Sequence, residues 1–149
     1  MTSIRVSGMV HSPVERVWQV ATDIAGAPRT MSAITSVEIL TDRPFGPGFT
    51  WRETRQMFGQ SATEQMWVSA CEAPSWYEVR ADSRGMHYVS RLQCTAVGDG
   101  TRVDYMFSGT PVGLLARVMD KVMAMLPSSV VARSLQQDLA DLAAACERS

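Results

Sequence analysis

Arg55 and Glu64 fall on what should be the apolar side of a tight hairpin, with Glu53 two residues before the arginine. A guanidinium set among inward-facing carboxylates either forms a buried ion pair or furnishes a cavity wall with polar anchors. The register follows from the turn. Gly59-Gln60 suits a two-residue type II′ loop, with glycine at the first central position, where positive φ is required. Pairing Phe58 with Ser61 then sets Met57 by Ala62, Arg55 by Glu64 and Glu53 by Met66. Alternation puts Trp51, Glu53, Arg55, Met57, Ala62, Glu64, Met66 and Val68 on one face. Arg52, Thr54, Gln56, Thr63, Gln65 and an exposed Trp67 take the other.

This constellation carries two kinds of chemistry. As structure, a cross-strand Arg55–Glu64 pair fixes the hairpin register. As a site, the same groups orient a ligand carbonyl, phenol or carboxylate. Glu53 lies diagonal to Glu64, so both carboxylates share Arg55, and one cation does not fully neutralise two anions. One carboxylate then has a raised pKa and suits general acid or base work in an aldol-type cyclisation or dehydration. Glu53 and Glu64 are the catalytic candidates; no catalytic residue is fixed. Trp51, Met57, Met66, Tyr88, Tyr105, Met119 and Met123 are the candidate lining, because each falls in an apolar register of a strand or helix. A buried tyrosine hydroxyl needs a partner, and methionine thioethers adapt to varied shapes. His87 alternates away from Tyr88 toward solvent and His11 falls at a strand end, neither with a nucleophile beside it, so a hydrolytic triad is disfavoured. The loop at Gly46-Pro47-Gly48 lacks the lysine and following helix of a phosphate loop and reads as a turn.

The elements that must position these groups are legible in order. Ser3–Val10 is a first strand. Ser12-Pro13-Val14-Glu15 starts a helix, with Ser12 as cap and Glu15 completing a capping box. Val14, Val17, Trp18 and Ala21 then recur at helical spacing. Ala25–Ser32 is a second short helix or turn. Strands follow at Val37–Thr41, on both sides of Gly59, and at Trp76–Asp82, Met86–Val97 and Thr101–Thr110, as a meandering antiparallel sheet. From about Gly113 to Glu147 the chain is helical, kinked or split near Pro127. Leu115, Met119, Val122, Met123 and Leu126 form one stripe, continued by Leu135, Leu139, Leu142 and Cys146.

Bulk properties narrow the class. The 149 residues suit one domain, 1–149, with 46% hydrophobic and 19% charged residues as in ordinary globular proteins. A net charge of −1 makes no case for nucleic acid or an anionic membrane surface as partner. No apolar run approaches the ~20 residues that span a bilayer, and the N-terminus lacks signal-peptide character. Cys71, Cys94 and Cys146 lack paired or metal-type spacing, which fits a reducing cytoplasm with neither metal nor cofactor.

Strand, two helices, six strands and a long C-terminal helix is the element order of the START-like, or helix-grip, superfamily. The segment 12–18, Ser-Pro-Val-Glu-Arg-Val-Trp, resembles that family's entry to its first helix. Asp23-Ile24, Ser36-Val37-Glu38-Ile39-Leu40, Gly46-Pro47-Gly48-Phe49, Gly100-Thr101-Arg102-Val103 and Leu135-Gln136-Gln137-Asp138-Leu139 resemble its later landmarks. The chain is most similar to the polyketide cyclase/dehydrase and lipid-transport branch (SRPBCC). The resemblance implies an α+β fold in which a curved seven-stranded antiparallel sheet wraps the C-terminal helix around a hydrophobic cavity. Its members include lipid carriers, quinone-binding proteins, aromatic cyclases and chaperone regulators, so fold alone does not choose an activity. The expectation is a carrier or sensor of a hydrophobic small molecule, lipid, quinone or polyketide-like, working as monomer or homodimer. The alternatives are a cyclase or dehydratase using Glu53 or Glu64, and an interaction module whose cavity is filled by its own side chains.

Overall fold

The computed structural model describes residues 2–57, 59–83, 85–112 and 128–148. Seven strands, β1 Thr2–Val10, β2 Ile34–Ile39, β3 Thr50–Met57, β4 Gln60–Glu72, β5 Trp76–Ser83, β6 Met86–Val97 and β7 Gly100–Pro111, form one antiparallel sheet. Its order is β1-β7-β6-β5-β4-β3-β2, so a meander of six strands is closed by the N-terminal strand pairing with the last. Two short helices, α1 Val14–Thr22 and α2 Ala27–Thr30, connect β1 to β2, and α3 spans Ser128–Glu147. The expected α+β order holds. The stripe from Leu115 to Leu126, with Met119 and Met123, and the kink at Pro127 lie outside the described residues.

Curvature is the property that matters for the site. In a flat sheet, β1 and β3 would stand about 24 Å apart, five strand spacings of about 4.8 Å. Yet neighbouring residues of α3 touch both: Leu139 lies over Gly8 of β1, and Asp138 reaches Arg55 of β3. The sheet must therefore curl around α3. Gly8 permits the close approach, since a Cβ there would stand 2.8 Å from Leu139 Cδ2. Leu139, Leu142 and Cys146 pack with Val10, Val17, Leu92, Cys94 and Val103 into the main core.

Polar ties fix the same end. Thr101 Oγ1 donates to the Ser12 carbonyl at 2.8 Å, and Ser12 Oγ donates to the Cys146 carbonyl at 2.8 Å. Ser12 is thus no helix cap: Pro13 occupies that position with extended backbone, and no side chain caps α1. The reason is competition, because carbonyls in the last turn of α3 lack intrahelical partners and Cys146 takes the buried hydroxyl. Farther along, Asp141 Oδ2 accepts from both the N–H and the hydroxyl of Ser32, pinning α3 to the end of α2.

Two expectations about strands need correction. β2 begins at Ile34 rather than Val37, since Ile34 is itself buried and a bulge lets it pair with Arg55. The β3–β4 hairpin is slipped by two residues: Met57 pairs with Gln60, Arg55 with Ala62 and Glu53 with Glu64. Gly59, at φ +78°, occupies the second central position of the turn instead of the first. A slip of two preserves every face, so the inward set is as expected although each pairing changes. Trp67 lies on the outer face but is half-buried, not exposed, alongside Arg80 of β5.

Substituting Gly8→Val should lower stability by about 1–3 kcal/mol through overpacking against α3. Adding Leu139→Ala should recover part of that loss in urea unfolding. An unchanged midpoint in the single variant would mean that α3 does not press on β1 there.

Candidate functional site

The concave face of the sheet is built in cross-strand rows. Trp51, Met66, Ala81, Tyr88 and Gly109 stand side by side across β3 to β7. The next rows bring together Val68, Val79, Ser90 and Phe107, then Tyr77, Leu92 and Tyr105. Toward α1 this wall is aromatic: Tyr77 packs edge-on against Trp18 and Phe45, and Phe49 tilts against Trp51. Toward β7, Tyr88 stacks on Phe107 with centroids 5.6 Å apart. Gly109 leaves room for the Tyr88 ring, which a Cβ there would approach to 3.2 Å.

At the β3 side this apolar wall carries charge. Arg55 Nε donates to Glu53 Oε2 at 2.9 Å. Its Nη1 and Nη2 face Asp138 Oδ1 and Oδ2 at 3.2 and 3.0 Å, a two-pronged contact between sheet and helix. The second oxygen of Glu53 accepts from Trp51 Nε1–H at 3.2 Å. Glu53 and Asp138 are buried and Arg55 nearly so. Two carboxylates thus share one cation, as expected, but the second is Asp138 and not Glu64. Glu64 stands directly opposite Glu53, half-buried, with no ion pair among the described residues. The expected Arg55–Glu64 pair is absent because the register slip sets Ala62 across from Arg55.

Burial would lower the pKa of Arg55, but Asp138 and Glu53 outweigh it and hold the guanidinium charged. The strain appears on the acid. Burial pushes Asp138 above the ordinary carboxylate value, Arg55 pulls it back in part, and Glu53 and Asp141 push it up further. Tyr77 and Tyr105 are held neutral well above the normal phenol range, chiefly by burial, and both feel Asp138 and Arg55. Neither hydroxyl hydrogen-bonds to another described residue. Burial, with Cys146 alongside, drives the Cys94 thiol up to about 12, and burial lifts Cys146 to about 11. These thiols are inert small hydrophobes.

Of the residues singled out from sequence, Trp51, Glu53, Arg55, Glu64, Met66, Tyr88 and Tyr105 share the concave face. Met57 belongs to the same strand, but its side chain, like Met119 and Met123, falls outside the described set. Asp138 and Tyr77 were missed. The signal for Asp138 was a carboxylate on the apolar stripe of α3, three residues after Leu135 and four before Leu142. For Tyr77 it was the alternation Tyr77, Val79, Ala81. His87 lies on the convex face, half-buried between Asp82 and Arg80. Two surface hollows, of about 340 Å³ between α1, α2 and α3 and about 320 Å³ beside the Gly98–Gly100 turn, lie away from the charged group. Among the described residues no cluster of His, Cys, Asp or Glu is arranged to hold a metal ion, and no helix is long and apolar enough to cross a membrane.

Replacing Arg55 by Met should cost about 3–5 kcal/mol at pH 7, because two buried carboxylates lose their cation. Asp138 already binds its proton more tightly folded than unfolded, and without Arg55 its folded pKa rises further. The variant's stability should therefore increase as pH falls through the carboxylate range, narrowing its deficit to wild type. A deficit independent of pH in urea titrations would contradict the charge assignment.

Similar proteins share this architecture. Solved structures that superpose over most of their length include an aromatase/cyclase, Zhui, from Streptomyces sp. R1128, at 18% identity and TM-score 0.74, covering 99% of this chain and 94% of that one. A START superfamily protein from Mycobacterium smegmatis matches at 16% identity and TM-score 0.70 over 97% and 94% of the two chains. A protein from Thermus thermophilus matches at 15% identity and TM-score 0.76 over 97% of each. At these identities the likeness is one of fold. No curated protein matches in sequence. The family model described as polyketide cyclase / dehydrase and lipid transport matches residues 1–147, and the chain belongs to that family.

Proposed function

We propose that this protein binds a hydrophobic small molecule between the concave sheet and the C-terminal helical segment, as a carrier or sensor. The observation that carries the reading is the wall itself. Aromatic and methionine side chains supply contact area, while Tyr77 and Tyr105 present neutral hydroxyls that no described residue satisfies. A largely apolar surface with a few convergent polar groups is the usual make-up of a small-molecule site. Family membership supports the same reading.

A second reading, a cyclase or dehydratase acting on a polyketide-like chain, draws on the aromatase/cyclase of the same fold. Glu53 is a poor acid or base there, since Trp51 and Arg55 engage both its oxygens. Glu64, without an ion pair among the described residues, is the carboxylate left to face a substrate. On this reading Glu64→Gln would abolish turnover of a polyketide-like substrate by the purified protein, whereas a carrier shows no turnover in either form.

Native mass spectrometry of protein purified from its own host should show a co-purifying small molecule at one per chain. With that compound, Tyr105→Phe should weaken binding about 2–10-fold, one hydrogen bond's worth, while the urea midpoint stays in place. No adduct, together with no binding across lipids, quinones and aromatic polyketides, would overturn the proposal.

A further inference from the structure

Among the described residues Arg55 is the cation that this wall presents, and a lone arginine in an apolar site ordinarily signals a ligand carboxylate. Here three of its five N–H donors, including the paired end that would grip a carboxylate, are already engaged. The two-pronged end of the guanidinium faces Asp138, and Nε is taken by Glu53. A carboxylate seeking that two-pronged end would have to displace a buried aspartate, and one approaching elsewhere would sit close to Glu53 and Asp138.

The neighbouring groups push the same way. Glu64 stands directly across from Glu53 on the concave face, and like charges placed opposite each other on paired strands repel. No described group neutralises Glu64. Strand alternation places Arg5, Arg52, Arg80, Arg91 and Arg102 on the convex face, where all five are engaged, Arg5 with the Met106 sulfur. Arg52 pairs with Glu38, Arg80 with Glu78 and Arg102 with Asp104, while Arg91 lies over the Trp76 ring. Among the described residues, the polar end of the concave wall therefore carries more negative than positive charge. Tyr77 and Tyr105, two half-buried side chains whose hydroxyls have no described hydrogen-bond partner, stand within electrostatic reach of Arg55 and Asp138. They are independent evidence of space left for a polar atom from outside.

Resting on the binding role above, we propose that the site selects a hydrophobic ligand bearing a protonated amine and discriminates against one bearing a carboxylate. Glu64 is the group that receives the ammonium, with the tyrosine hydroxyls as further acceptors. The ion triad of Glu53, Arg55 and Asp138 is then a positioning device. It holds α3 against β3 and keeps Arg55 from recruiting anions.

Three probes of one shape separate the possibilities: 2-naphthylmethylamine, 2-naphthalenemethanol and 2-naphthoate, titrated calorimetrically into the full chain at pH 7 and low salt. The amine should bind at least tenfold more tightly than the carboxylate, with the alcohol between them. Glu64→Gln should cut the amine's advantage several-fold and leave the alcohol's affinity unchanged, with a melting temperature that holds or rises as the repulsion from Glu53 is relieved. A carboxylate that binds as tightly as the amine overturns the proposal and leaves the binding role standing. An amine preference untouched by Glu64→Gln overturns the role given to Glu64. If none of the three binds, the binding role and the selectivity fall together.

Discussion

A guanidinium cannot be left alone in a protein interior, and Arg55 satisfies that constraint by bridging two elements far apart in sequence. Its Nε is held by Glu53 on its own strand, and its far end by Asp138, 83 residues away on α3. Removing two charges from water costs several kcal/mol per ion even after relaxation, so such a bridge is weak evidence for stability in itself. What it supplies is geometry. Its bonds are directional where apolar contacts are not, and they set both the distance and the rotation of α3 against β3.

The rest of the fold accommodates that geometry. One helix meets β1 and β3 together only if the sheet curls, and Gly8 lets Leu139 settle on β1 while Asp138 turns toward Arg55. At the other end of α3, the chain of hydroxyls from Thr101 through Ser12 to Cys146 locks the helix to β7 and to the start of α1. Between these ties lies the concave wall, aromatic at one side and charged at the other. A misplaced α3 would change its shape and its electrostatics together.

The period of two in the strands made the faces legible: Trp51, Glu53, Arg55, Glu64 and Met66 belong to one side whatever the register. Pairing was not legible, because glycine satisfies a tight turn at either central position and a two-residue slip leaves every face unchanged. Thus Glu53 faces Glu64, and the cation expected between Arg55's strand and its neighbour is turned toward the helix instead. Sharing of one arginine by two carboxylates was legible as a principle, yet its second acid was not. Asp138 lies on α3, and only the three-dimensional curl brings it to β3. A charged residue on an otherwise apolar helical stripe was the trace it left. Ser12 misled for a similar reason, since its local capping signal was outcompeted by a carbonyl 134 residues away.

The bridge between sheet and helix is tested most directly by a double-mutant cycle on Arg55→Met and Asp138→Asn, read by urea unfolding at pH 7. Direct contact predicts that the two losses fail to add, with a coupling of about 1–3 kcal/mol. Losses that add to within about 0.5 kcal/mol would show that the residues do not touch, and that the helix is held to the wall by something else.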